Sequence, residues 1–243
     1  MPPRYHDAPR LSFGGPVTPA VKILLLINVS IFVLELFIAG LGGEEAWGTF
    51  RDIFALNPPE ALFGFRVWQF VTYMFLHSPT SIFHILFNML VLWMFGSDVE
   101  RVWGPRRFTR YYLITGVGAG LVNCLFMQNQ TLGASGAIFG VIVAYAMLFP
   151  TRTILFWGLF PMSARQFALL LAAIELLTLG ALSPDGVARF AHLGGALTGY
   201  LLIKGFWDPR RLVSDLRWRM RRRRFRTIQK EDQRDRGPFY PHH

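Results

Sequence analysis

Charge is scarce in this sequence. Only 16% of its 243 residues are Asp, Glu, Lys or Arg, whereas soluble domains carry about a quarter. With 52% hydrophobic residues and a mean hydropathy of +0.34, the chain does not read as a water-soluble globule around one shielded core. Its apolar surface is expected to meet lipid and other helices. A single cysteine, Cys124, excludes an internal disulfide and leaves the redox compartment open. No internal repeat is evident, and the paired broken helices of inverted-repeat transporters are missing.

Crossing an apolar layer of about 30 Å takes roughly 20 mostly apolar residues at about 1.5 Å rise each. Six stretches qualify as candidate spans: 21–41, 82–102, 111–127, 135–150, 164–182 and 190–207. The first is too long for the apolar part of a signal peptide, and Ala39-Gly40-Leu41 is a poor cleavage site, so it is read as a retained helix. Six spans put both termini on one side. Of the 25 basic residues, 22 fall in segments that are inner when the N-terminus is inside, leaving Arg51, Arg66 and Arg189 outside. The positive-inside rule therefore predicts both termini in the cytoplasm. The organisation expected is an N-terminal segment 1–20, a membrane domain 21–207 with an outer loop 42–81, and a basic tail 208–243.

The net charge of +10 resides mostly in that tail, where Arg217, Arg219, Arg221, Arg222, Arg223, Arg224 and Arg226 follow the last apolar span. A basic block in that position suits anionic lipid headgroups and gives no reason to invoke nucleic acid. Leu212, Leu216 and Met220 recur at helical spacing there, as in an amphipathic surface helix. The outer loop is rich in aromatics. Its run 67–76 is too short to cross and is expected to lie at the interface or dip into it.

Polar groups inside spans are costly in lipid and mark functional candidates. His84 and Asn88 stand at i and i+4 on one face of the second span. Ser135 opens the fourth span, and His192 lies near the start of the sixth. With alternating span directions, all four fall at one depth near the outer side. The fourth span is about 24 Å long as a helix, so its outer end is expected to be submerged. Gly136 with Gly140, and Gly195 with Gly199, form small-xxx-small patterns that allow close helix approach. A serine nucleophile needs a base within reach and donors for an oxyanion, and this set offers both. Glu35 and Glu175 are carboxylates within spans and raise the alternative of a proton-coupled transporter.

The combination of His84-x-x-x-Asn88, Gly133-Ala134-Ser135-Gly136 and Ala191-His192-x-x-Gly195-x-x-x-Gly199, with Glu100 and Gly104 after the second span, resembles the rhomboid family of intramembrane serine proteases. The G-x-S-x-G elbow is excluded, because Ala137 replaces its second glycine. The resemblance implies an all-α polytopic membrane protein, a six-transmembrane-helix rhomboid-like bundle. It also implies serine endopeptidase activity on transmembrane protein substrates, with no cofactor and no metal. Ser135 would be the nucleophile and His192 the base, acting as a dyad without a third carboxylate, in keeping with the reading that no Asp or Glu lies near His192 in the spans. His84 and Asn88 would hold the oxyanion, while Gly133, Gly136, Phe139, Gly195 and Gly199 would support the packing. A relative lacking catalysis would act instead as a chaperone for membrane helices, but such relatives typically lose the serine or the histidine. Two positions depart from the family pattern. Gln69 follows Trp68 where an arginine is frequent, and Phe139 stands where some members carry a tyrosine. Phe139 can pack on the His192 imidazole but cannot hydrogen-bond. His77, in the outer loop, is expected to be structural. A plasma (inner) membrane location is expected.

Overall fold

The N-terminus of the first helix is held by an acid from a distant segment. In the computed structural model, which describes residues 15–156, 158–179 and 189–205, helix α1 (Pro19–Phe54) starts with proline in its first turn, where the missing N–H costs nothing. Its exposed donors turn to Glu100, whose carboxylate accepts from the N–H of Ala20 and Val21 at 2.9 Å and from the Thr18 hydroxyl at 2.5 Å. Negative charge at a helix N-terminus is favourable. Gly43, at φ 67, breaks α1, so its apolar part ends where the outer loop was expected to begin, and a second helical piece continues to Phe54.

Short elements α2 (Pro58–Leu62) and α3 (Gln69–Thr72), and a 3₁₀ turn at Tyr73–Phe75, make up the remainder of that loop. Helix α4 (Ile82–Val91) continues through a π-helical stretch, Leu92–Gly96, into α5 (Ser97–Trp103). Gly104 at φ 77 ends it, and Pro105 opens α6 (Pro105–Phe126). The third apolar helix therefore starts six residues before the expected 111, because Pro105 fits the first helical position and draws Arg106, Arg107 and Arg110 into the helix. Helix α7 (Ser135–Leu148) follows.

A hairpin of β1 (Thr153–Phe156) and β2 (Phe160–Ser163), paired antiparallel from Thr153↔Ser163 to Phe156↔Phe160, was not expected. Gly158 at φ 70 turns it. Ser163 then caps α8 (Ala164–Leu177) in a reciprocal box with Gln166, which satisfies two donors at once. Helix α9 (Arg189–Lys204) is the last described. The chain divides into a unit ending at Tyr200 and a second beginning at Leu201, of which 201–205, the end of α9 and Gly205, are described. The expected amphipathic helix of the basic tail lies outside the described residues, as do the last residues of the expected sixth span.

The burial pattern is that of a membrane protein. Large apolar side chains such as Ile23, Phe37, Phe83 and Leu169 face outward, with Phe37 61% exposed, while Asn28, Glu35, Gln69, Thr115 and Asn123 are fully buried. Among the described residues, Pro19–Phe54 and Ile82–Trp103 are long and apolar enough to cross a bilayer, and Ser135–Leu148 is a shorter apolar helix.

Helices α6, α7 and α9 pack through glycine. A Cβ on Gly140 would meet the Thr115 side chain at 2.7 Å, one on Gly195 would meet the Gly136 carbonyl carbon at 2.7 Å, and one on Gly199 the Gly140 Cα at 3.0 Å. The contact between α7 and α9 brings two backbones together as in membrane helix pairs.

Candidate active site

Ser135 is the first residue of α7, and the chain reaches it through Gly133 at φ 124, a conformation that side chains other than hydrogen rarely adopt. Space requires glycine there as well, since a Cβ would come within 2.9 Å of His84 Nε2. Gly133 N–H donates to the Tyr73 carbonyl at 2.9 Å, and the Tyr73 hydroxyl donates to the Gly116 carbonyl at 2.7 Å. Leu56 and Thr131 exchange two backbone bonds at 2.9 Å. The segment leading into Ser135 is thus tied to both the loop and α6.

Ser135 Oγ lies 2.7 Å from His192 Nε2, although the two are 57 residues apart. The imidazole stacks on Phe139, with centroids 4.5 Å apart and an interplanar angle of 7°. At the opposite ring nitrogen the structure corrects the sequence reading. His192 Nδ1 lies 2.9 Å from Glu175 Oε1, and both side chains are nearly buried. The expectation that no carboxylate lies near His192 in the spans is overturned by Glu175. Helix α8 carries Glu175 to the first turn of α9, and nothing local to His192 reports that packing. The available signal was a carboxylate near the far end of the fifth span, at the level expected for His192.

His84 and Asn88 share a face of α4, which packs against α7. Asn88 is 7% exposed, and its amide nitrogen lies 3.3 Å from His77 Nε2. The His77 ring meets that of His84 edge-on, with centroids 5.1 Å apart. His77 is fully buried, and its backbone N–H donates to the Glu35 carboxylate at 3.0 and 3.1 Å. Burial, reinforced by His84, lowers the His77 pKa from 6.5 to about 3, so this imidazole stays neutral and can hold Asn88 in place. Sequence reasoning left this Glu35–His77–Asn88 chain unconnected.

The departure at Gln69 also has a structural answer. Gln69 is fully buried, accepts from Asn57 N–H at 3.0 Å, and donates to the carbonyls of Asp52 at 3.0 Å and Ile53 at 3.3 Å. With Trp68 Nε1 on Ile53 O at 2.9 Å, it anchors the loop to the end of α1 without an arginine.

As the first residue of α7, Ser135 stands where helical N–H groups lack intrahelical partners. A hydroxyl hydrogen-bonded to an imidazole beside such donors can carry out acyl transfer. A serine and a histidine brought together by apolar helices of an integral membrane protein characterise intramembrane serine proteases as a class. The chain belongs to the rhomboid family, whose Rhomboid domain matches residues 64–208, more than half of its length. It is 30% identical over 210 residues to RHOMBOID-like protein 1 of Arabidopsis thaliana, covering 75% of this chain and 51% of that one. RHOMBOID-like protein 6, mitochondrial, of the same plant is 33% identical over 200 residues, covering 81% and 61%. Rhomboid protease GluP of Bacillus subtilis is 30% identical over 144 residues, covering 59% and 27%. The chain thus spans less than two thirds of the length of each of these three relatives.

Proposed function

We propose that the protein is an intramembrane serine endopeptidase that hydrolyses transmembrane protein substrates near the outer membrane face. The observation that carries this reading is the 2.7 Å contact between Ser135 Oγ and His192 Nε2, joining the first residue of α7 to the first turn of α9. His192 takes the hydroxyl proton as Ser135 Oγ attacks the scissile carbonyl. The resulting oxyanion is held by the Ser135 N–H with the side chains of His84 and Asn88. Collapse expels the amine, which takes the proton from His192. Water, deprotonated by His192, then attacks the acyl-enzyme and frees Ser135.

In this reading six spans cross the bilayer, formed by the apolar part of α1, the continuous α4–α5 helix, α6, α7, α8 and α9. Both termini are cytoplasmic, on the plasma (inner) membrane, and 21–207 form the protease domain. The basic tail, 208–243, meets anionic lipid. No cofactor, metal or nucleic acid takes part. A helical substrate hides its carbonyls in i→i−4 bonds, so the cut falls where glycine or proline lets the helix open. These residues weaken a helix by about 1 and 3 kcal/mol relative to alanine.

Ser135→Ala and His192→Ala are each expected to abolish cleavage of a reporter transmembrane substrate and labelling by a fluorophosphonate, while insertion and folding persist. Cleavage by purified Ser135→Ala protein would refute the assignment. A proton-coupled transporter would instead lose function on Glu35 or Glu175 substitution and keep it in Ser135→Ala. A non-catalytic chaperone would bind substrate helices without cutting them or reacting with the probe.

A further inference from the structure

We infer that Glu175 is a positioning residue for His192, completing a serine–histidine–glutamate triad whose carboxylate comes from α8. This rests on the reading of Ser135 and His192 as nucleophile and base. For Ser135 to give up its proton, His192 Nε2 must present a lone pair, and in a neutral imidazole the ring proton is then on Nδ1. That N–H needs an acceptor in a nearly buried site, and Glu175 Oε1 stands at 2.9 Å. When the imidazole takes up the serine proton, the same carboxylate faces the new positive charge. Orienting the ring and stabilising the imidazolium are the roles of the third member of a serine protease triad.

The contact belongs to a larger packing arrangement. Three residues beyond Glu175, at the C-cap of α8, the Thr178 hydroxyl accepts from Arg189 Nε at 2.9 Å, and Arg189 is three residues before His192 in α9. Residues three apart lie on one helix face. The pairs Glu175–His192 and Thr178–Arg189 are therefore successive rungs between antiparallel helix ends. Phe139 covers the ring face, so the imidazole is fixed at both nitrogens and from one side. A surface ion pair would lack this confinement.

The test uses the purified full chain in liposomes with a cleavable reporter helix. Glu175→Gln is nearly isosteric, but its amide can donate to Nδ1 and select the other tautomer. It is expected to lower kcat by about 10²–10⁴-fold, the upper end being the loss known for the equivalent carboxylate-to-amide change in a serine protease. KM should be unchanged, and fluorophosphonate labelling should slow in parallel. Glu175→Asp, which keeps the charge on a shorter arm, should recover part of the rate. Nitrogen-15 NMR of the His192 ring should find the proton on Nδ1 in the unmodified protein. Full kcat in Glu175→Gln, with Ser135→Ala inactive, would overturn this inference and leave the protease reading intact. Residual cleavage by Ser135→Ala would overturn the protease reading itself. Should Glu175→Gln not fold, the NMR experiment on the unmodified protein decides, and a proton on Nε2 would sink the proposal.

Discussion

Replacing Gly195 by alanine tests whether glycine packing sets the chemistry. The new Cβ would lie 2.7 Å from the Gly136 carbonyl carbon and closer still to its oxygen, whereas ordinary contact begins at 3.4 Å. Both partners are backbone, so neither can rotate away. Helices α7 and α9 would have to part by 0.7 Å at the carbon alone. Gly136 adjoins Ser135, and Gly195 is one turn beyond His192, so the displacement passes directly into the 2.7 Å Ser135–His192 bond. That bond would stretch beyond the roughly 3.0–3.2 Å limit of a good hydrogen bond. A misplacement of about 1 Å can cost on the order of 10²-fold in rate, or about 2.7 kcal/mol of barrier.

The control is Gly40→Ala on an exposed part of α1, where a Cβ meets nothing within 4 Å. There alanine should favour the helix by about 1 kcal/mol. The assay is kcat/KM for a reporter transmembrane substrate in liposomes, together with the rate of fluorophosphonate labelling and circular dichroism to verify folding. If Gly195→Ala cleaves and labels as fast as Gly40→Ala, the close approach of α7 and α9 does not set the Ser135–His192 geometry, and the reasoning fails.

Asn88→Ala should lower kcat by about 10²–10³-fold, as for loss of one oxyanion donor; an unchanged rate would remove Asn88 from the oxyanion site. Glu100→Gln puts an amide against the donors of Thr18, Ala20 and Val21 and should destabilise the protein by about 1–3 kcal/mol, read as a lower Tm in detergent. The lowered His77 pKa means that below 6.5 the unfolded chain takes up a proton that the folded protein refuses until about 3. Stability should therefore fall as pH drops through that window, by up to about 1.4 kcal/mol per unit. His77→Gln should flatten the dependence of Tm on pH, and an unchanged slope would contradict the buried neutral imidazole.

Local patterns made much of this protein legible. The i, i+4 spacing of His84 and Asn88, the Gly-Ala-Ser-Gly entry to α7, and the glycines after His192 each occupy a few consecutive turns, so the sequence alone carries their geometry. Apolar length likewise identified the helices, because a lipid-facing surface needs only hydrophobicity. Two further features had local signals: the Ser163–Gln166 cap, and Pro105, which moved the start of α6 six residues earlier. The carboxylate at His192 had no such signal. Glu175 reads equally well as a proton relay, and only the antiparallel seating of α8 against α9 brings it to Nδ1. Glu35, His77 and Asn88 come from three separate segments, and Gln69 replaces an anchoring arginine only because the ends of α1 and the loop converge on its amide. Such contacts depend on which helix faces meet and at what register. Apolar side chains, which attract without direction, leave that choice to the close fit of the glycines and the few buried polar groups.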